Sequence, residues 1–127
     1  RALAIDPAHW DTHNAHAIAL AQAGQLEEAE RAFRAAIARF PEQRALRLGL
    51  AANAIERGDY AGALAVYDDV VRHWPRFAAA HVGRSILYAQ LGRRAEARAA
   101  LVEAVRLEPL NADYRARLAA YDREPAR

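Results

Sequence analysis

The feature that most constrains this chain is a sequence period of 34 residues. Pro, Gly and Ala each recur at this interval, as do one large side chain and one small aliphatic side chain. The series are Pro7/Pro41/Pro75/Pro109, Gly24/Gly58/Gly92, Ala29/Ala63/Ala97, Phe33/Tyr67/Leu101 and Ala36/Val70/Ala104. A single period shared by independent series indicates stacked copies of one supersecondary unit.

Each period contains two helical segments that are separated by a glycine and closed by a proline. The first segment runs from about Trp10 to Ala23 and ends before Gly24, the residue type that best accepts a left-handed cap. The second, 26–39, ends before Pro41, which cannot continue a helix. Later periods predict helices over 44–57, 60–73, 78–91, 94–107 and 112–121. Because the connections are short, consecutive helices are predicted to be antiparallel.

These features together resemble the tetratricopeptide repeat (TPR), including the small residues Ala17 and Ala29 and the aromatic Phe33. The resemblance implies an all-α fold, a right-handed α-solenoid of antiparallel helix pairs. The predicted limits are 1–9 for the end of a truncated preceding repeat, 10–43, 44–77 and 78–111 for three full repeats, and 112–127 for a capping helix and tail. The residues expected to be buried are Ala17, Leu20, Ala29, Phe33, Ala36, Ala51, Ala63, Tyr67, Val70, Tyr88, Ala97, Leu101 and Ala104.

Two arginines depart from the family pattern. Arg84 stands where the family favours Leu, and Arg94 replaces the usual Tyr. We expect Arg84 either to extend its charge to solvent or to pair with Asp68 or Asp69. Such substitutions weaken the packing locally without changing the fold.

Composition excludes several classes of function. The chain has no Cys, which excludes disulfides and thiolate chemistry, and no apolar run near the roughly 20 residues of a membrane span. Its 18 basic residues are all Arg and are not clustered as in a nucleic-acid-binding domain. The absence of Met leads us to expect part of a longer protein, and the Ala- and Arg-rich composition suggests a bacterial source. The cellular compartment is not predicted.

No group of residues predicts catalysis or a bound cofactor. The adjacent acids Glu27–Glu28 and Asp68–Asp69 point about 100° apart on a helix, so neither pair can converge on one substrate bond. Ser85 is the only serine, and it falls inside a helix without the strained turn that exposes a nucleophile. We therefore expect no enzymatic activity and no cofactor.

Three histidines near the first helix are the one candidate metal site. His9, His13 and His16 are spaced i, i+4 and i+7, an arrangement that can share a metal ion. No thiolate or carboxylate completes the set at a suitable spacing, although Asp11 is close. We favour the interpretation that these histidines pack against Trp10 and the preceding half-repeat.

The resemblance assigns partner binding to the concave surface formed by the first helix of each repeat. The residues predicted to line it are Asn14, Ile18, Gln22, Leu48, Ala52, Ile55, Glu56, Val82, Ile86 and Gln90. We expect its aliphatic residues to form one exposed apolar strip, namely Leu48, Ile55, Val82 and Ile86. Such a strip suits an apolar or amphipathic segment of another polypeptide.

Two known TPR specialisations are absent at the matching positions. Co-chaperone TPRs hold a carboxylate with cations, but the matching residues here are Asn14, Ile18, Ala52, Ala79 and Gly83. The asparagine ladder of O-GlcNAc transferases would fall at Ala15, Gly49 and Gly83. The groove is therefore expected to be narrow and largely apolar.

The sequence leaves two functions open. The chain is either a scaffold that binds another protein, or a positioning arm of a larger enzyme of the glycosyltransferase, sulfotransferase or hydroxylase type. The partner is accordingly another protein or a segment of the parent chain, with no nucleic acid and no membrane insertion. The uncapped N-terminal edge around Leu3, Ile5 and Trp10 is a second candidate surface, for self-association.

Overall fold

Seven α-helices and no β-strand make up residues 9–123, the part of the chain that the computed structural model describes. They are α1 (Trp10–Gln22), α2 (Leu26–Arg39), α3 (Arg44–Glu56), α4 (Tyr60–His73), α5 (Ala78–Gln90), α6 (Arg94–Leu107) and α7 (Ala112–Arg123). Every helix begins and ends within two residues of its predicted limits, which confirms the all-α class. The predictions for residues 1–8, including Leu3 and Ile5, and for 124–127 lie outside the described residues.

The first helix of each period ends at a glycine in the left-handed conformation. Gly24 has a φ of 84°, and Gly58 and Gly92 have values of 78° and 76°. After Gly24 the backbone N–H of Gln25 returns to the carbonyl oxygen of Leu20 at 2.9 Å, which closes the cap. A β-carbon is strained at these angles, so glycine sets the end of the helix.

The chain divides into two compact units, with the boundary inside α4. Unit 1 extends to Val66 and unit 2 begins at Tyr67. In unit 1, α2 packs against both α1 and α3, and α1 also contacts α3. In unit 2, α6 packs against both α5 and α7. The repeat limits at 10–43, 44–77 and 78–111 remain a prediction.

Small residues let the helices approach closely, and a few large side chains fill the space between them. Of the thirteen residues expected to be buried, ten are buried, and Leu20, Tyr67 and Tyr88 are half-buried. The core of unit 1 combines Ala17, Ala29, Phe33 and Leu50. Because each Ala buries only one methyl group, an Ala-rich helix contact depends on its few large residues for most of its hydrophobic stabilisation.

An aromatic ring lies directly against the backbone of the next helix in each unit. In unit 1 a β-carbon at Gly49 would lie 2.4 Å from Cε1 of Phe33. In unit 2 a β-carbon at Gly83 would lie 2.6 Å from Cε1 of Tyr67. Both distances are far shorter than van der Waals contact, so only glycine fits beneath the ring. The ring and its glycine are 16 residues apart in both units.

The third period lacks both members of this pair. Leu101 stands at the ring position, and Arg117 occupies the position 16 residues later. The Arg117 guanidinium instead donates to the carboxylate of Asp113 at 3.0 Å on the surface of α7. A side chain is therefore accepted at this position where the aromatic ring is missing.

The two arginines that depart from the family pattern are accommodated by aromatic side chains. Arg84 donates from Nε to the Asp68 carboxylate at 2.8 Å, which confirms one of the two predicted pairings, and its guanidinium lies 5.5 Å from the Tyr88 ring. Arg94 donates to the backbone carbonyl of Tyr121 at 2.7 Å and lies 4.8 Å from that ring. Stacking on a ring suits the planar guanidinium, so neither charge is buried alone.

One buried polar side chain on α3 and another on α5 form hydrogen bonds to the turns that precede these helices. Arg47 donates from Nη1 to the carbonyl oxygen of Pro41 at 2.6 Å, and His81 donates from Nε2 to that of Pro75 at 3.2 Å. Both pairs recur at the 34-residue interval, and both donors are 7% exposed. These bonds satisfy backbone carbonyls that the helices leave unpaired.

The Glu30 carboxylate links α2 to α3 and predicts a dependence of stability on pH. Hydrogen bonding and charge from Arg34, and then from Arg57, hold the pKa of Glu30 below its usual value. A lowered folded-state pKa stabilises the protein above the unfolded-state value, and this stabilisation is lost as the pH falls. We expect Glu30→Gln to lower the free energy of unfolding by a few tenths of a kcal/mol at pH 7, because the pair is exposed. In urea titrations the difference from wild type should shrink as the pH falls below about 4.3, the usual pKa of Glu, and vanish below the lowered pKa of Glu30 in the folded state.

Candidate functional site

The predicted binding residues of unit 1 lie on two neighbouring helices. Helices α1 and α3 contact each other, and both run antiparallel to α2, so they share one direction. Spacings of four and eight residues place the α1 members on one side of that helix, and the α3 members have a similar spacing. We call these residues the α1–α3 face: Asn14, Ile18, Gln22, Leu48, Ala52, Ile55 and Glu56.

Two large aliphatic side chains of this face are open to solvent. Ile18 and Ile55 are each 38% exposed. The polar Gln22 and Glu56, which follow at the C-terminal ends of the two helices, are exposed as well. Leu48 is only half-buried, so the apolar part of the α1–α3 face extends toward the start of α3.

The expectation that Val82 belongs to an exposed strip is wrong. Val82 is 9% exposed and forms a core cluster with Leu101 and Ala104 of α6. Three further side chains pack against this cluster from α7: Tyr114, Leu118 and Tyr121. In unit 2 the accessible members of the predicted set are Ile86, which is 46% exposed, and Gln90.

The histidines near α1 are not brought together as a metal site. The His13 ring packs against Phe40, with ring centroids 5.5 Å apart and planes tilted by 50°. His9 is exposed and His16 is half-buried. Over residues 9–123, no three His, Cys, Asp or Glu side chains converge closely enough to hold a metal ion.

Of the residues considered for catalysis, Ser85 is buried, Asp68 and Asp69 are paired with arginines, and Glu27 and Glu28 are exposed. Ser85 is 2% exposed, so its hydroxyl is closed to a substrate. Asp68 is paired with Arg84, and the Asp69 carboxylate accepts from Arg72 at 3.3 Å. Glu27 and Glu28 are exposed in the first turn of α2, where the helix dipole favours acidic residues.

No helix within the described part of the chain is both long enough and apolar enough to cross a membrane.

Two tetratricopeptide repeat profiles match the sequence, over residues 14–76 and 54–121. The second alone covers more than half of the 127 residues, and the two together include all of α3 to α6. The chain therefore belongs to the tetratricopeptide repeat family. No curated protein sequence matches it.

Solved structures of similar fold include proteins of several kinds. The first TPR of Spaghetti (RPAP3) bound to the HSP90 peptide SRMEEVD superposes with a TM-score of 0.75 at 16% identity, covering 95% of this chain and 96% of that one. The Yersinia enterocolitica type III secretion chaperone SycD, in complex with a peptide of the translocator YopD, gives a TM-score of 0.74 at 21% identity and 87% coverage of each chain.

A third similar structure is MamA from Desulfovibrio magneticus RS-1, with a TM-score of 0.72 and 24% identity. The match covers 92% of this chain but 64% of MamA, so the chain spans less than two thirds of that protein. At these identities the similarity establishes the fold, an all-α helical-repeat solenoid.

Proposed function

We propose that this chain is a protein-interaction module that binds a polypeptide segment on the first helices of its repeats. The observation that carries the proposal is the exposure of Ile18 and Ile55 on the contacting helices α1 and α3. Large aliphatic side chains that are exposed side by side mark an interaction surface more often than isolated ones do. The proposed contact residues are the α1–α3 face in unit 1, with Ile86 and Gln90 at the equivalent positions of unit 2.

Two proteins of similar fold support this proposal. The TPR of Spaghetti is bound to an HSP90 peptide, and SycD is in complex with a peptide of YopD. Their fold therefore accommodates a short polypeptide segment. The burial of Ser85 and the pairing of Asp68 and Asp69 with arginines favour binding over catalysis.

The size of the surface limits the affinity. Covering a few partly exposed aliphatic side chains supplies several kcal/mol before the ordering of the bound segment is subtracted. We therefore expect dissociation constants in the micromolar range or weaker. The polar Gln22 and Glu56 would orient the segment at one end of the α1–α3 face.

Selection from a random peptide phage library tests the proposed function directly. The wild-type chain is immobilised for the selection, and the binding of each enriched peptide is then measured to wild type and to the double variant Ile18→Asp/Ile55→Asp. Since each Asp places a charge in the apolar contact, we expect enriched peptides to bind this variant at least about 30-fold more weakly, or roughly 2 kcal/mol.

The matched control is Ala35→Asp/Ala38→Asp, which adds the same two charges to exposed positions of α2. Enriched peptides should bind this control as they bind wild type, and circular dichroism should show native helix content in both variants. The proposal fails if no peptide is enriched, or if every enriched peptide binds the Ile18→Asp/Ile55→Asp variant as tightly as wild type.

A further inference from the structure

An open cleft lies in unit 1 where α3 ends beside the turn between α1 and α2. Its volume is about 720 Å³, and its lining residues are Gly24, Gln25, Leu26, Glu27, Glu28, Arg31, Glu56 and Arg57. The Asn53 side chain fixes this geometry, because its Nδ2 donates to the carbonyl oxygen of Leu26 at 2.9 Å. The cleft is thus built on two helix ends that are tied together.

Three exposed glutamates on this cleft have no cationic partner. Over residues 9–123, no ion pair involves Glu27, Glu28 or Glu56. Several acids elsewhere do pair with arginine, as Glu96 pairs with Arg93 and Glu103 with Arg106. The cleft therefore carries uncompensated negative charge.

The two arginines that line the cleft do not neutralise it. Arg57 is paired with Glu30, whose carboxylate also accepts from Arg34. Counting Glu30 and Arg34 together with the lining residues gives four carboxylates and three guanidinium groups, a net charge of −1. A net excess of negative charge remains for a ligand to meet.

Glu56 also stands at the wrong end of a helix for an acidic residue. It is the last residue of α3, and the last turn of that helix contains no basic side chain. The helix dipole places partial negative charge at this end, so a cation bound here interacts favourably with both the helix and the carboxylate. Nothing within the described part of unit 1 supplies that cation as an ion pair to Glu56.

The cleft and the α1–α3 face share one residue, Glu56. Glu56 belongs to both, since it lines the cleft and follows Ile55 directly in the sequence. Gly24 and Gln25, which follow α1, also line the cleft, so its position marks the C-terminal ends of both parallel helices. A segment lying along Ile18 and Ile55 therefore approaches Glu56, at the edge of the cleft, at one of its ends.

We propose that the segment bound by the α1–α3 face is a cationic amphipathic one, with apolar side chains over Ile18 and Ile55 and Arg or Lys side chains in the acidic cleft. This inference rests on the proposed function and adds the chemistry of the partner. Long basic side chains suit the cleft because their stems can pack on Leu26 while their charged heads reach the glutamates.

Two synthetic peptides of opposite charge test this inference. Each peptide has 12 residues and blocked ends, and one half of its sequence is rich in Leu. The other half contains three Arg in the first peptide and three Glu in the second. Each peptide is made with its charged half at the N-terminus and again with its charged half at the C-terminus. Fluorescence anisotropy gives the dissociation constants. At about 50 mM salt we expect an Arg peptide to bind roughly tenfold more tightly than either Glu peptide, since several exposed ion pairs contribute together. At about 500 mM salt, screening should reduce this preference to less than about threefold.

Variants that remove negative charge show which glutamates cause the preference for the Arg peptides. Glu27→Gln/Glu28→Gln/Glu56→Gln should abolish the preference for the Arg peptides, while the single variant Glu56→Gln should reduce it. The control is Glu42→Gln, which removes an exposed, unpaired carboxylate from the turn at the opposite end of α3 and should leave the preference unchanged.

The inference is overturned if Glu peptides bind as tightly as Arg peptides, if the preference survives in the triple variant, or if no peptide binds at about 1 mM. In any of these cases the phage selection still decides the proposed function separately. Enriched peptides that depend on Ile18 and Ile55 but lack basic residues would retain the function and reject the cationic partner.

Discussion

Replacing Val82 with Asp is expected to unfold unit 2, whereas replacing Ile86 with Asp should leave it folded. Val82 is 9% exposed among Leu101 and Ala104, so Val82→Asp would bury an unpaired carboxylate in an apolar cluster. We expect a loss of about 4 kcal/mol or more, a large share of the stability of a small domain. Ile86 is 46% exposed, and Ile86→Asp should cost less than about 1 kcal/mol.

The measurement is urea unfolding followed by tryptophan fluorescence. The chain has two tryptophans, and Trp74 belongs to unit 2 while Trp10 belongs to unit 1. A Trp10→Phe background therefore isolates the signal from unit 2. Equal stability of the Val82→Asp and Ile86→Asp variants would mean that Val82 is accessible, as the sequence pattern alone had indicated.

Replacing Gly49 with Leu should cost about 3 kcal/mol, although Leu is the better helix former by nearly 1 kcal/mol. The new β-carbon would lie 2.4 Å from Cε1 of Phe33, and that ring is 1% exposed and has no free space to move into. Chemical unfolding should show a lower free energy of unfolding with native helix content before the transition. Ala15 stands 34 residues earlier and is exposed, so Ala15→Leu should change stability by less than about 0.5 kcal/mol.

A second substitution separates steric overlap from other causes. In a Phe33→Leu background, which reproduces the Leu found at position 101, the cost of Gly49→Leu should fall by at least about 1 kcal/mol. If the two changes are simply additive, the ring does not limit the side chain at position 49. The contact described between α2 and α3 would then be incorrect.

Local signals were sufficient to predict the helices. Glycine at the ends of the first helices and proline after the second helices act through their own backbone geometry, and neither requires a distant contact. The predicted helix limits were therefore close to the observed ones, and the observed positive φ at Gly24 is what the cap requires. The pairing of Arg84 with Asp68 could also be predicted from the sequence, because both residues lie at predictable positions of neighbouring helices.

Exposure on the predicted binding surface was not predictable in the same way. Val82 and Ile86 have similar side chains and the same four-residue spacing as Leu48 and Ala52, but α7 contributes three side chains to the cluster that contains Val82. The bonds of Arg47 and His81 to proline carbonyls were missed because their partners are backbone atoms, which carry no sequence signal. The acidic cleft was missed because Glu56, at the end of α3, is 28 residues from Glu28 and 29 from Glu27, at the start of α2, so only the fold brings them together.

The pairing of a ring with a glycine 16 residues later determines how segments of this chain can be exchanged by recombination. A crossover between 43 and 44 follows the predicted repeat limits, yet it separates Phe33 from Gly49. If the segment joined at position 44 has a residue larger than glycine at position 49, that side chain overlaps the Phe33 ring. A segment such as 50–83 instead carries Tyr67 and Gly83 together, so the block that can be duplicated or transplanted intact begins inside α3 rather than at a turn.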